Sequence, residues 1–251
     1  KLGVIQILIA LFVYLAIHAR RTDTVLVYNT QLFSIPIRLA KRLKGFQLIL
    51  EVKEVFYLDD RNPVDVRRRG LEDALIAAAD QYIFASDLLA NRFSAGKDFA
   101  VVYGGYTIPP RIAQRRMDGN IHVVYAGGID SLRRVDYAVK AFGLLPDGFR
   151  LHILGKGADQ ELERLRLEIE KVNCEAGYEK AEYVGCLYGR EYDAYLESCH
   201  IGLNMQSIGS SIEDVAYPSK ISSYMGRGLT VVSGRLSSVV ASLCPSRFRG
   251  Q

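Results

Sequence analysis

The 251-residue chain is 49% hydrophobic and 24% charged, with a formal net charge of +4, which fits a globular protein of one or two domains. That charge is too mild to single out nucleic acid. The basic residues are scattered apart from "DVRRRG" at 65–70, with no interleaved aromatics to stack on bases. Cys174, Cys186, Cys199 and Cys244 make no CxxC pair, so neither a zinc motif nor a disulfide framework is indicated; they read as small buried apolar residues in a reducing compartment.

From Gly3 the chain reads "GVIQILIALFVYLAIHARR", apolar through Ile17 except for Gln6. This falls short of the roughly 18 residues of a spanning helix. It lacks the basic start and small-residue cleavage site of a signal peptide. It is expected to be a core helix buried nearly all round; the alternative is a membrane-facing helix flanked by Arg20 and Arg21.

Strand and helix patterns then alternate. "TVLVYN" (24–29) reads as a buried strand, "SIPIRLAKRLKG" as a helix stopped by Gly45, and "FQLILEV" (46–52) as the next strand. A helix through "VRRRGLEDALIAAAD", a strand "QYIFAS", a short helix "DLLANRFSA" and a strand "FAVVYGG" follow. This is the rhythm of a parallel sheet with crossover helices. "YTIPPRIAQRRMDGN" (106–120) interrupts it with two prolines and no apolar period, as a linker would. The rhythm restarts with "IHVVYAGG" (121–128), "VDYAVKAFGLL", "FRLHILGKG" (149–157), the charged helix "ADQELERLRLEIEKV", "AEYVGCL", "GREYDAYLESC" and "HIGLNM" (200–205).

In open parallel sheets, ligands bind at the carboxyl ends of strands. Several features of the second half fall at such ends. Gly127 and Gly128 in "AGGIDSLRR" allow close backbone approach, and Arg133 is a phosphate-gripping type. Gly155 and Gly157 flank Lys156, and "NMQSIGSSIEDVAYPSK" carries Asn204, Gln206, Glu213 and Asp214. In "AYPSKISSYMGRGLTVVSG" (216–234), proline at a first helical position leaves the amides of Ser219, Lys220 and Ile221 pointing outward beside the Lys220 charge. Ile221, Tyr224 and Met225 follow helical spacing and Gly228 is the stop, with "LTVVSG" a core strand after it. Each feature has a plain reading as well, as a tight turn, a solvated face or an ordinary helix start. Their recurrence on one rim is what suggests an anion site.

The order "VVYAGGID…VDYAVKAFGLLP…LHILGKG…YVGCL…YDAYLESCHIGLNM…YPSKISSYMGRGLTVVS" resembles the nucleotide-sugar domain of GT-B glycosyltransferases. It is similar above all to their retaining family-4-like group, whose bacterial members build capsular, exopolysaccharide and lipopolysaccharide chains. The first half is similar to the acceptor-side domain of that group. The resemblance implies an α/β fold of two Rossmann-like parallel-sheet domains facing across a cleft. Residues 1–107 form the acceptor side, 108–119 the linker and 120–251 the donor side. Against the family pattern both ends look short, including the helix that crosses back to the first domain.

The same resemblance implies the roles. Arg133, with Arg134 beside it, falls where the family binds the donor diphosphate, and Lys220 and Glu213 join it as catalytic candidates. Gly127, Gly128, Gly155, Gly157, Asn204, Pro218, Ser219 and Ser223 fall on the donor side. Glu51, Lys53 and Glu54 in "EVKEVF" fall on the acceptor side, with a surface ion pair as the plain alternative. Two glutamates flank the Pro-Ser-Lys helix in many members; their places here are Val215 and Ser223. Lys53 stands where histidine is common.

The implied activity is retaining, metal-independent sugar transfer from a UDP- or GDP-linked donor to a glycan or lipid-linked saccharide, with no cofactor. The alternative is a catalytically silent scaffold or regulatory relative. The first apolar helix and "DVRRRG" hint at a cytoplasmic protein with peripheral contact at the inner face of the cell membrane. A third reading, an oxidoreductase on a Rossmann-type sheet, is disfavoured because the chain lacks a first-strand GxGxxG followed by a ribose-binding acid.

Overall fold

The computed structural model describes residues 2–28, 30–55, 63–105, 115–130, 133–205 and 217–243. Its contacts divide the chain into two compact units. Within the described residues, the first takes 2–103, Tyr217 and 237–243, and the second takes 104–105, 115–205 and 218–236.

The first unit is a four-stranded parallel sheet in the order β1-β2-β3-β4, made of β1 (Thr24–Tyr28), β2 (Gln47–Val52), β3 (Gln81–Phe84) and β4 (Phe99–Val101). Helices α1 (Leu2–His18), α2 (Ser34–Lys44), α3 (Pro63–Ala78) and α4 (Asp87–Phe93) alternate with the strands. Gly45 ends α2 in the left-handed region at φ 70°, as its place after the last helical turn suggests. Leu48, Leu50 and Val52 line the buried face of β2, and Ser86 caps α4 by accepting from the Leu89 amide at 3.2 Å.

Two expectations fail in this unit. Among the described side chains of α1 only Leu15 is buried, while Val4, Ile5, Ile7, Ile9, Val13, Tyr14 and Ile17 are exposed. β1 is not a buried strand either, since its residues alternate between exposed and half-buried. The cause is shared: β1 is an edge strand, and no described element lies beyond it to cover α1's outer side. No described helix is long and apolar enough to cross a membrane.

The second unit is a five-stranded parallel sheet in the order β7-β6-β5-β8-β9. It contains β5 (Ile121–Ala126), β6 (Phe149–Leu154), β7 (Ala181–Gly185), β8 (Ile201–Asn204) and β9 (Thr230–Ser233). Helices α5 (Val135–Gly143), α6 (Asp159–Ala176), α7 (Gly189–Ser198) and α8 (Ser219–Gly226) connect them. Central β5 is buried along nearly its whole length because it is flanked on both sides and covered by helices. β9 is an edge strand and only half-buried, so the core strand expected from "LTVVSG" is corrected. Of the cysteines expected to be buried, Cys199 is, whereas Cys174 and Cys186 are exposed; Cys244 lies outside the described residues.

The stretch expected to be linker lies partly outside the described residues, and its end is anchored: the Arg116 amide donates to the Ser198 carbonyl at 3.0 Å. After β9 the chain returns to the first unit, where α9 (Ser237–Leu243) packs on α4. No such returning helix was expected within this chain. Its short "SSVVASL" carries too little apolar period to stand out in the sequence.

Candidate functional site

In the second unit, the chain passes from β5 to β6 and β7 on one side, then returns to add β8 and β9 on the other. β5 and β8 therefore flank a topological switch point, where neighbouring connections leave in opposite directions and open a crevice. Their pairing covers only Val123↔Ile201 and Val124↔Gly202. Beyond it, the Ala126 amide donates not to β8 but to the Tyr224 hydroxyl of α8, at 2.9 Å. Gly202 makes room for this helix: a Cβ there would stand 2.4 Å from the Tyr224 ring.

The same packing carries the start of α8 to the crevice. Pro218 is the N-cap, one position before its expected place, and Ser219 is the first helical residue. No side chain caps this end, and the Ile221 amide is taken by the Pro218 carbonyl at 3.1 Å, leaving the Ser219 and Lys220 amides as the outward donors. Met225, expected on the buried side, is exposed, while Ile221 and Tyr224 are buried.

Lys220 reaches from α8 over the Tyr125 ring, its ammonium 4.9 Å from the centroid. Gly127 lies directly beneath, so close that a Cβ there would come within 2.4 Å of Lys220 Nζ and Cε. No hydrogen bond or ion pair to a described residue holds the ammonium. Burial first, then the Arg133 charge, press its pKa down to about 8, with Asp130 pulling the other way. A desolvated cation is a ready partner for an anion.

Arg133 belongs to the same rim. Its amide donates to Asp130 Oδ1 at 2.9 Å, and its guanidinium is paired with Asp130 Oδ2. Gly128 lies under that pair: a Cβ there would meet Arg133 Nη1 at 3.2 Å. Tyr125 donates from its hydroxyl to the Gly128 carbonyl at 2.6 Å, fixing the turn between the two cations. The residues expected to grip a pyrophosphate, Gly127, Gly128, Arg133, Ser219 and Lys220, thus meet around Tyr125, with Pro218 capping the helix that brings two of them.

Gly155 and Gly157 have a structural reason of their own. Gly155 sits at φ +148°, and a Cβ on it would overlap the Gly127 carbonyl oxygen at 1.8 Å; one on Gly157 would stand 2.3 Å from the Ile129 carbonyl. They let the loop after β6 lie against the loop after β5, and the Ile129 amide donates to the Lys156 carbonyl there at 2.9 Å. Asn204, at the end of β8, donates to Ser233 Oγ at 2.9 Å.

The comparisons with known proteins bear on this framework. No protein-family model and no curated protein matches the chain. Among solved structures it is similar to HepE from Anabaena in complex with UDP, with TM-score 0.64 and 14% identity over 94% of this chain and 64% of that one. It is similar to the lipopolysaccharide outer core galactosyltransferase WaaB in its apo form, with TM-score 0.64 and 16% identity over 90% of this chain and 59% of that one. Sucrose-phosphate synthase from Thermosynechococcus elongatus gives TM-score 0.68 and 16% identity over 95% of this chain and 62% of that one. The chain has a GT-B fold. It spans 59–64% of the length of these three structures.

Within this GT-B chain, other expected residues make contacts elsewhere. Arg134, the left-handed N-cap of α5, stacks on Tyr137 at 3.8 Å and pairs with Asp136 at 3.9 Å, both on its own helix. The Ser223 hydroxyl accepts from Arg227 Nη1 at 2.9 Å. This bond uses one lone pair of the group expected at the ribose and leaves its O–H free to donate; Arg227 lies one turn further along and is itself anchored by Asp193. Glu213, Asp214, Val215 and Gln206 lie outside the described residues.

Glu51, Lys53 and Glu54 belong to the first unit, at the carboxyl end of β2. Lys53 pairs with Glu51 at 3.1 Å and its ammonium stands 5.4 Å from the Tyr28 ring centroid. Burial, then Glu54, push the Tyr28 phenol up. The ion pair foreseen as the plain alternative is present between Lys53 and Glu51.

Sequence reading missed Tyr125 and Asp130. Tyr125 looks like one more core aromatic of an apolar strand, and Asp130 like a loop charge. Their partners identify them, and those lie up to 95 positions away, at Lys220.

Proposed function

We propose that this GT-B chain transfers a sugar from a nucleotide-sugar donor, and that the crevice between β5 and β8 receives the donor's diphosphate. The observation that carries the reading is Lys220: an ammonium set against Gly127 with no acceptor among the described residues, beside Arg133 and two outward amides. UDP-bound HepE supports a uridine nucleotide as the first ligand to try. In transfer, the bond from sugar carbon to diphosphate oxygen breaks and a bond to the acceptor hydroxyl oxygen forms. The acceptor's proton leaves with the diphosphate. Charge grows on that leaving group, so fixed cations and amides aimed at it lower the barrier.

We further propose that transfer is retaining and metal-independent, with Arg133 and Lys220 supplying the charge a metal would otherwise supply. The carboxyl end of β2, with Glu51, Lys53 and Glu54, is the proposed place for hydroxyls of a glycan or lipid-linked acceptor. A role in bacterial cell-surface polysaccharide assembly at the inner membrane face belongs to the same reading. A silent scaffold is the second reading, favoured by the Ser223 hydroxyl being held by Arg227.

Thermal shift of the intact gene product against a panel of nucleotide sugars separates the two, because a ligand that binds only the native state raises Tm. Transferase function predicts a rise with one donor class, lost in Arg133→Ala. No rise with any nucleotide favours the scaffold.

A further inference from the structure

A second cluster of titratable groups lies in the second unit, towards the start of β5, and the proposed transfer does not use it. His122 stacks on His152 with ring centroids 4.9 Å apart and planes at 19°. His122 Nδ1 stands 2.7 Å from His152 Nε2. At the outer end, His122 Nε2 is 2.9 and 3.1 Å from the two oxygens of Asp118. At the inner end, His152 Nδ1 is 2.5 Å from Glu182 Oε1. Both rings are buried, while Asp118 reaches solvent.

Counting protons decides the state of this chain. Asp118, His122, His152 and Glu182 are joined by three contacts of hydrogen-bond length, and each needs one proton between its two heavy atoms. Two neutral imidazoles supply two. The third must be an extra proton. Glu182 is held at about 2, first by its bond to His152, so its carboxyl stays ionised and the proton rests on the imidazole. His122 then donates from Nε2 to Asp118 and accepts at Nδ1 from His152, which donates from both nitrogens.

Other groups surround the pair. Arg116 Nη1 lies 3.4 Å from His122 Nδ1, to which it can donate, and 3.3 Å from His152 Nε2, where the assignment leaves two donors facing. Its guanidinium covers the Tyr195 ring at 4.9 Å, and the Tyr195 hydroxyl stands 3.0 Å from His152 Nδ1. Tyr195 donates to Glu182 at 2.7 Å. His200, stacked behind His122, accepts the His122 backbone amide at its own Nδ1 at 3.0 Å, so that nitrogen carries no proton. Buried Cys199 has its thiol pushed up to about 11, first by burial, and stays neutral. Arg150, Glu179 and Lys180 line the small pocket beside the pair, with Lys180 bound to the Leu145 carbonyl. At the centre, the Arg116 guanidinium and the two imidazoles face two carboxylates, Asp118 and Glu182.

We propose that His122 and His152 share one extra proton and act as a latch, tying the 116–118 segment to the sheet while that proton is held singly and releasing it when a second arrives. A second proton would place N–H against N–H across the 2.7 Å contact and add a second imidazolium beside Arg116. Burial holds His122 below its ordinary value against the pull of Asp118, with the His152 and Arg116 charges adding to the depression. Release therefore falls on the acid side of the usual histidine range.

Nitrogen-15 NMR of the imidazoles across about pH 5 to 8 tests the proton count on the unmodified protein. At about pH 7, one ring of the pair should show both nitrogens protonated and the other a neutral Nε2–H ring. In Glu182→Gln both should be neutral. Two neutral rings in the unmodified protein, or two rings titrating independently at the ordinary value, overturn the shared proton. Hydrogen exchange of the Arg116 amide tests the latch. From about pH 7 to 5 its protection should fall about tenfold beyond the intrinsic pH effect; unchanged protection overturns the release.

Discussion

A Cβ added to Gly127 would stand 2.4 Å from the Lys220 ammonium, so the lysine can lie where it does only while residue 127 has no side chain. Lys220 is the far end of a flexible side chain and can move aside. Gly127→Ala should therefore fold with Tm close to that of the unmodified protein while displacing the ammonium, and UDP affinity measured by calorimetry should fall about tenfold. Unchanged affinity would show that the placement of Lys220 does not matter.

Gly155→Ala should behave in the opposite way. Its Cβ would overlap a backbone oxygen at 1.8 Å, from a residue at φ +148°. Backbone cannot swing away as a lysine does, so a loss of about 3 kcal/mol or more is expected in urea unfolding. A loss below about 1 kcal/mol would mean that the two loops are not pressed together.

Tyr224→Phe isolates one hydrogen bond. The Ala126 amide would lose its acceptor in a buried place, costing about 1–3 kcal/mol while the ring keeps its seat on Gly202. Denaturant unfolding measures it. A neutral effect would show that water or β8 replaces the hydroxyl.

Lys220 also sets a pH dependence with a definite sign. Its folded pKa, about 8, lies below the unfolded value of 10.5. Between those values the unfolded chain binds the extra proton, so this group makes stability rise with pH through that window. Below it the buried charge costs stability in full. Lys220→Met should accordingly raise Tm at pH 7, the gain shrinking towards pH 10. Diphosphate binding needs the charged form, so UDP affinity should decline above about pH 8 and binding near that pH should take up a proton.

Much of this was legible in the sequence for a physical reason. Strands β5 to β9 are short apolar runs separated by glycine turns, and "GGID", "GKG" and "YPSK" each follow a strand or open a helix. Strand ends in a parallel sheet share a rim, so their order along the chain locates Gly127, Gly128, Arg133 and Lys220 together. Partners across the sheet were not legible. Tyr125 and Asp130 become site residues only through Lys220 and Arg133. The histidine chain joins positions 118, 122, 152 and 182, none of which forms a motif. Periodicity marked α1 as apolar, but burial depends on what stands beyond β1, which no helical spacing encodes.

The central claim is that cations at the crevice hold a diphosphate, and calorimetry with UDP and uridine on the unmodified protein and Lys220→Met tests it most directly. UDP should bind the unmodified protein far more tightly than uridine, and the substitution should abolish most of that difference while leaving uridine binding unchanged. Equal affinity for the two ligands in the unmodified protein, or full UDP affinity in Lys220→Met, would contradict it.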